Sequence, residues 1–476
     1  MTKAGFSMTI LSMKKIRIFA WLMALLVMFP IYSCHRERKA NVILVIIDTA
    51  RKDHFSCYGY KRQTTPKLDE LAKEGVRFED AVATAPWTLP SVASILTGLP
   101  PHKHLAGYPG KDPKTGQEGL TYLSPSAITV TEILFQNKYQ TVGSFQNPFV
   151  DPGYGLNRGF EIYDYFPGDN LRVRRADQVV DWAMAWLEQN RLKRRPFFMV
   201  LHFFDPHLAY NPPVEFMMPF VYGYQGKMKP PFAPDNEELE KLQRGEIKFS
   251  EEDRNFIIGL YNGELSFVDF SLGRFFDYLK LKGLYDQSLI IVTADHGEEF
   301  WEHGSFEHGH SLYQELLSVP LLIRFPHAEN QGMVVKERVS LLDIAPSIIA
   351  YLGIDSSLEP GGRSFIKMPG AVVKPVEREV VSELNRIGDP LQAIYRDQYQ
   401  LILNITSGAI EIYNLETDPG QKHNLFGEKH SYPPEIVEQM RAVAEKIKKL
   451  SQENKPLPAK ISPEIIKKLK ALGYLK

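Results

Sequence analysis

Asn41-Val42-Ile43-Leu44-Val45-Ile46-Ile47 runs without a charge and stops abruptly at Asp48. Its β-branched side chains are stiff and pack well on a pleated surface. A strand that is apolar at every position is covered on both faces, which is the condition of a parallel sheet. Runs of similar texture recur at 140–145, 197–203, 288–293 and 320–325. Helical patterns separate them at 66–74 (closed by Gly75), 128–137, 173–189 and 254–282. Strands alternating with helices predict an α/β sandwich with a mostly parallel central sheet. In such sheets the ligand-binding residues gather just beyond the carboxyl ends of the strands.

Two stretches depart from this rhythm. Residues 211–250 carry Pro212, Pro213, Pro219, Pro230, Pro231 and Pro234 among aromatics and charges, a pattern too irregular for a core element. Connections of that length are commonly functional, and the segment reads as a lid-like insertion. From about 370 the runs become short, at 379–382, 391–395, 399–404 and 409–413, before a charged helix at 434–453. A small antiparallel sheet plus helix is expected there. The predicted organisation is a signal segment (1–34), a tether (35–39), a catalytic α/β domain (40–369) and a C-terminal α+β subdomain (370–476).

The N-terminus reads as an export signal. Met13-Lys14-Lys15-Ile16-Arg17 precedes an apolar run at 18–32, shorter than the roughly 20 residues that span a bilayer and suited to a secretory signal. Ile31-Tyr32-Ser33-Cys34 resembles a bacterial lipobox, with Cys34 as the lipidated first residue of a periplasm-facing envelope lipoprotein. A plain signal peptide or an uncleaved anchor is the alternative. Over all 476 residues, 56 Lys+Arg nearly cancel 57 Asp+Glu, which excludes a nucleic-acid binder working through a basic surface. Two cysteines exclude a disulfide scaffold and a Cys-based zinc site. Oligomeric state leaves no mark in the sequence.

Chemistry concentrates where apolar strands end. Asp48 is placed to bind a hard cation or to cap a helix. In Trp87-Thr88-Leu89-Pro90-Ser91-Val92, Thr88 is either a helix N-cap or a hydroxyl facing unpaired amides that favour an alkoxide and an incoming anion. Asp295-His296-Gly297 leaves the 288–293 strand and can offer two ligands to one metal. His303, His308 and His310 crowd close behind it.

In series, these segments resemble the sulfatases, a family of the alkaline phosphatase superfamily. The blocks that carry the resemblance include Asp48-Thr49-Ala50-Arg51, Thr97-Gly98-Leu99-Pro100-Pro101-His102, Asp205-Pro206-His207 and Tyr261-Asn262-Gly263-Glu264. Asp295-His296-Gly297-Glu298, Val319-Pro320-Leu321-Leu322-Ile323-Arg324 and Tyr413-Asn414-Leu415 continue it. The resemblance implies an alkaline-phosphatase-like sandwich and hydrolysis of an ester. It also implies that His207 contacts the anion and that His310 is a second contact or a leaving-group acid.

Three departures from the family pattern shape the expected chemistry. Sulfatases oxidise a Cys or Ser in a C/S-x-P-x-R motif to formylglycine, whereas this chain has Thr88 and, in place of the Arg, Val92. Oxidising a secondary alcohol gives a ketone, so no formylglycine is expected. The usual second N-terminal aspartate is Thr49, and the family's Lys-x-His is replaced by Phe145-Gln146-Asn147-Pro148, leaving Asn147 to contact substrate. The metal set that remains is Asp48, Thr88, Asp295 and His296. It suits one manganese ion, with calcium, magnesium and zinc as alternatives. The expected activity is cleavage of a phosphate mono- or diester through Thr88, on a small-molecule, glycan- or lipid-linked substrate at the membrane. Sulfate-ester hydrolysis, phosphoryl transfer at the envelope and a non-catalytic binding lipoprotein are the rivals.

Overall fold

The computed structural model describes residues 39–111, 118–166, 174–356, 361–367, 371–372, 378–386, 388–428, 430–453 and 458–459. The signal segment with Cys34, the tether up to residue 38 and the 369/370 boundary lie outside the described residues. From Ala40 onward the chain clusters as one unit.

An eight-stranded sheet forms the centre. Its strands are β1 (Asn41–Ile47), β2 (Val76–Phe78), β3 (Gln140–Phe145), β4 (Ile162–Tyr165), β5 (Phe197–Phe203), β6 (Ser288–Ala294), β7 (Leu321–Arg324) and β8 (Met333–Val335). They lie in the order β8-β2-β7-β6-β1-β5-β3-β4. β1 pairs in parallel with β5 and β6, and β5, β3 and β4 continue in parallel. Only β7 runs against its neighbours, and β2 and β8 pair in parallel beyond it. Every residue of β1, β5 and β6 is buried, as apolar runs without alternation require.

The helices are α1 (Pro66–Glu74), α2 (Thr88–Thr97), α3 (Val130–Gln136), α4 (Ala176–Gln189), α5 (Val214–Val221), α6 (Asn236–Gln243), α7 (Glu251–Leu281) and α8 (Ile344–Tyr351). α1 and α4 pack on α7, while α3 and α8 pack on α2. The two groups cover the two faces of the sheet. α7 begins three residues earlier than its periodicity predicts, because the Ser250 side chain accepts from the Asp253 amide and caps it.

The insertion at 211–250 does contain core elements, contrary to its reading as irregular chain. α5 and α6 form there, and the Asp235–Glu238 capping box starts α6. Tyr210, Met217, Phe232 and Leu242 join Phe256 of α7 and Trp301 in a satellite core. Proline clusters obscured these helices in the sequence, since their stability comes from that tertiary apolar contact rather than from propensity.

The C-terminal part folds as expected. β9 (Val380–Leu384), β10 (Leu391–Arg396), β11 (Tyr399–Asn404) and β12 (Ile410–Asn414) form an antiparallel meander, and α9 (Pro434–Glu453) covers it. Ile436, Val437, Met440 and Ala444 supply the apolar face of α9. β9 docks on the segment before α2. The Glu383 amide donates to the Thr84 carbonyl (2.9 Å) and the Ser382 hydroxyl to the Ala83 carbonyl (2.6 Å).

Candidate active site

Adjacent parallel strands β6, β1, β5 and β3 bring their carboxyl ends to one edge of the sheet, and each delivers polar side chains there. Asp48 follows β1, Asp295 and His296 follow β6, His207 lies beyond β5, and Asn147 follows β3. Gly297 then turns the chain away against the backbone at 315–316. A Cβ at Gly297 would lie 1.9 Å from the Glu315 carbonyl oxygen.

Asp48, Asp295 and His296 are fully buried. One carboxylate oxygen of each aspartate, Asp48 Oδ1 and Asp295 Oδ2, has no hydrogen-bond partner. The His296 Nδ1–H donates to the Gly297 carbonyl (2.9 Å), so its Nε2 carries a lone pair. That nitrogen lies 3.4 Å from Asp48 Oδ1, 3.6 Å from Asp295 Oδ2 and 3.5 Å from Thr88 Oγ1. Two unpartnered carboxylate oxygens, an imidazole lone pair and a hydroxyl oxygen thus converge in a buried space, a donor set suited to a cation. Ligands about 2.0–2.2 Å from a tetrahedral metal sit roughly 3.3–3.6 Å apart. The set therefore fits a divalent metal.

Electrostatics agree. Burial, then the neighbouring Asp295, pushes Asp48 well above the usual carboxylate range despite the hydrogen bond from Asn147. Burial raises Asp295 to about 7 and lowers His296 to about 3. Two carboxylates so placed need a positive partner to remain ionised.

Thr88 is the first residue of α2, and no side-chain bond caps that helix. Its hydroxyl instead accepts from the Asn147 amide (3.2 Å). The capping role open to Thr88 from the sequence is thus not the one its side chain takes. Asn147 also donates to Asp48 Oδ2 (2.6 Å), and its carbonyl oxygen is fixed by the Phe149 amide (2.8 Å). Read from the sequence as a substrate contact, Asn147 directs its amide nitrogen at Asp48 and Thr88 instead. In the first turn of α2, the Ser91 hydroxyl donates to the Asp295 carbonyl (2.6 Å), tying helix to strand end.

The loop after Asp48 is held under strain. Thr49 has φ 56, a left-handed conformation costly for a β-branched residue. Tyr261 of α7 braces it, donating to the Thr49 carbonyl (2.9 Å) and accepting from the Arg51 amide (2.9 Å).

The clustered histidines separate in three dimensions. His308 approaches the cluster, its ring centroid 4.4 Å from that of His296, and its Nδ1 meets Glu298 Oε1 at 2.8 Å. His207 stacks on Phe204, lies 5.0 Å edge-on to His308 and donates from Nδ1 to the Leu208 carbonyl (2.7 Å). His310 pairs with Glu299 (2.8 Å), and its Nδ1 is buried without a hydrogen-bond partner. No described contact joins His310 to Thr88. His303 turns to Glu315 and the Gln421 carbonyl and stacks on Tyr313. The insertion and its flank border the site: Tyr210, just before it, donates to Glu298 Oε2 (2.9 Å), and Gln243 of α6 donates to Glu307 Oε2 (2.8 Å).

Two site residues escaped the sequence reading. His202, within β5, is fully buried with its Nε2 3.8 Å from Asp48 Oδ2. A lone polar residue inside an apolar strand was its only signal. Arg386, just beyond β9, places its guanidinium 5.0 Å over the ring of Trp87 and 5.0 Å over that of Phe149. Its charge depresses His207, His296 and His308, in each case second to burial and other neighbours. No local pattern marks Arg386, because β9 brings it to Trp87 and Phe149 only through tertiary docking.

Fold and site together define an ester hydrolase of the alkaline phosphatase superfamily. Residues 40–354 match the family model described as Sulfatase, and residues 301–453 match that of the N-sulphoglucosamine sulphohydrolase C-terminal region. The chain belongs to the sulfatase family. It is 25% identical to the uncharacterized sulfatase YidJ of Escherichia coli K12, over 82% of this chain and 83% of that protein. It is 23% identical to an N-acetylglucosamine-6-O-sulfatase of Bacteroides thetaiotaomicron, over 88% of each chain. Among solved structures, the phosphonate monoester hydrolase of Agrobacterium radiobacter superposes with TM-score 0.67 at 20% identity, over 87% of this chain and 96% of that one.

Proposed function

We propose that the protein is a metal-dependent phosphoesterase in which Thr88 is the nucleophile. The observation that carries this reading is the Thr88 hydroxyl, released from helix capping and held by Asn147 3.5 Å from the Nε2 of His296. Asp48, Asp295, His296 and Thr88 would hold one divalent cation, manganese by the mix of oxygen and nitrogen donors. Such an ion lowers the pKa of a bound hydroxyl and polarises a phosphoryl oxygen. Thr88 Oγ1 attacks phosphorus as the bond to the ester oxygen breaks, and the alcohol leaves. Water then cleaves the phosphothreonine and returns the free hydroxyl. Asn147 positions Oγ1, and Arg386 supplies a planar donor fork for the remaining phosphoryl oxygens.

Intact-mass measurement after rapid quench with an aryl phosphate and manganese tests this reading. A phosphoryl adduct on Thr88 is expected. Absence of both adduct and turnover on mono- and diesters sinks the proposal. Sulfate esters are the second reading, favoured by the sulfatases among the relatives, and matched aryl sulfate and phosphate rates separate the two. The apolar run ending at Cys34 supports an exported chain anchored through a lipid. Mass analysis of the membrane-extracted N-terminal peptide checks that anchor.

A further inference from the structure

At the opposite edge of the central sheet, exposed apolar and basic side chains gather that have no part in the chemistry above. β6, β1, β5, β3 and β4 run in parallel, so all of them start at this edge. The last turns of α3, α4 and α7 and the loops 190–196 and 282–287 lead into those strands and lie there too. Hydrogen bonds knit the pieces into one rim. The Gln140 side chain donates to the Asn190 carbonyl (3.2 Å) and accepts from the Leu192 amide (2.7 Å). Arg195 Nε donates to the Lys138 carbonyl (2.9 Å), and Lys282 pairs with Glu188 across the ends of α7 and α4. On this rim Phe135, Leu192 and Leu281 are 47%, 53% and 81% exposed, and Ile162 at the start of β4 is exposed as well. Scattered singly, such residues need no explanation; gathered at one edge among polar groups they mark a contact surface. The acidic side chains Glu161, Glu188 and Asp286 pair with Arg195, Lys282 and Arg324, whereas Lys138, Lys193 and Arg194 face solvent.

The chain also enters the fold here. The Tyr139 hydroxyl donates to the Ala40 carbonyl (3.3 Å) and the Asn41 side chain to the Gln287 carbonyl (3.4 Å), so β1 starts in the middle of the rim. Cys34 precedes Ala40 by six residues. A lipid on Cys34 therefore keeps Ala40 within about 22 Å of a bilayer, the reach of a fully extended tether. We propose that the amino edge of the sheet docks on an anionic bilayer surface. Lys138, Lys193 and Arg194 meet lipid phosphates, while Phe135, Leu192 and Leu281 enter the boundary between headgroups and acyl chains. The inference rests on the lipid anchor at Cys34 and adds an orientation to it. The seven residues of β1, at about 3.3 Å each, put the catalytic edge roughly 23 Å above the rim. The site then faces away from the lipid, and substrate reaches Thr88 from the aqueous side rather than from the bilayer that holds the enzyme.

Spin labels on the full-length protein test the docking face. Leu192→Cys, in a Cys57→Ser background, is labelled with a nitroxide and reconstituted from membrane extracts into vesicles of phosphatidylglycerol and phosphatidylcholine. By electron paramagnetic resonance, its collisions with an aqueous nickel chelate should fall severalfold and those with oxygen should rise. The comparison is a label at Tyr222→Cys, on a ring of the insertion that is 86% exposed, which should stay open to the chelate. Lys193→Glu combined with Arg194→Glu should return the Leu192 label to the chelate with unchanged turnover of a soluble aryl phosphate, and circular dichroism checks that each variant is folded. A Leu192 label as open as the Tyr222 label overturns the proposal, as does protection of Tyr222 in its place. Protection of Leu192 that survives the charge reversal, or is equal in vesicles of phosphatidylcholine alone, also overturns it. Intact mass reports the lipid on Cys34 separately. Its absence overturns the anchor reading, whereas a lipidated chain with an unprotected Leu192 label overturns the docking face alone.

Discussion

Thr88 carries most of the proposed chemistry, and its surroundings separate its chemical role from its structural one. Because the hydroxyl does not cap α2, Thr88→Ala removes no helix-amide bond, and Asn147 keeps its bond to Asp48. The variant should lose roughly 1 kcal/mol of stability or less, yet several orders of magnitude in rate, as nucleophile removal does. Thr88→Ser should keep appreciable activity. An active Thr88→Ala enzyme would mean that water attacks directly. A second residue-scale prediction concerns His104, buried where its Nε2 meets Ser94 Oγ (3.0 Å) and the Pro90 carbonyl (3.1 Å), close to His102 and Glu383. Burial holds its pKa at about 3, below the ordinary 6.5. The unfolded ring takes up a proton that the folded ring refuses. Its contribution is therefore complete above pH 6.5 and is lost as pH falls toward 3. Denaturant titrations from pH 7 to 4 should show falling stability, with a shallower slope in His104→Gln.

At the scale of elements, the site depends on how strand ends turn. The chain leaves β6 through Gly297, whose amide donates to the Leu316 carbonyl (2.8 Å) while the next amide bonds the Glu315 carbonyl (3.1 Å). Backbone lies against backbone, with no room for a methyl group: the Glu315 oxygen would be 1.9 Å from a new Cβ. Gly297→Ala should cost about 1–3 kcal/mol or more through overpacking and should displace His296. A lowered denaturation midpoint together with weakened Mn2+ binding is the expected pair of results. Gly283, by contrast, has no atom within 4 Å of a new Cβ. Close packing rather than glycine content marks the turn that matters.

Across the whole molecule, the C-terminal sheet completes a site that the central sheet begins. The Glu383 carboxylate takes the His102 ring at 2.7 Å and the Tyr108 hydroxyl at 2.7 Å, locking β9 onto the N-terminal half. That docking sets Arg386 over Trp87 and Phe149. It supplies a positive charge in a chain that has Val92 in place of the Arg of the sulfatase motif and Phe145-Gln146-Asn147-Pro148 in the region of its Lys-x-His. Arg386→Ala should lower kcat/KM on aryl phosphates about 10–100-fold, the range of one charge-assisted hydrogen bond. Arg386→Lys should recover only part, since an ammonium lacks the planar fork. An unchanged KM and kcat in Arg386→Ala would remove it from the anion site.

Local pattern was enough for five of the eight central strands, but not for β2, β4 and β8, and it marked most of the candidate metal cluster. The apolar run of β1 declared a strand covered on both faces, and the polar residues ending β1 and β6 marked Asp48, Asp295 and His296, because a sheet buried on both sides exposes chemistry only at its ends. β11 and α9 also matched their periodicity residue for residue. Local pattern did not reach what depends on assembly. The sequence offered Thr88 as a cap or a nucleophile, and only Asn147, arriving from β3, turned its hydroxyl toward His296. The histidine cluster read as one group, but in the fold His303 pairs with Glu315 and Gln421 while His308 lies against His296. Helices α5 and α6 were hidden among prolines because their stability is borrowed from the aromatic face of α7 and Trp301. Arg386 stood in no motif at all. Periodicity records which face of an element is buried, whereas side chains from distant elements meet only when the layers pack.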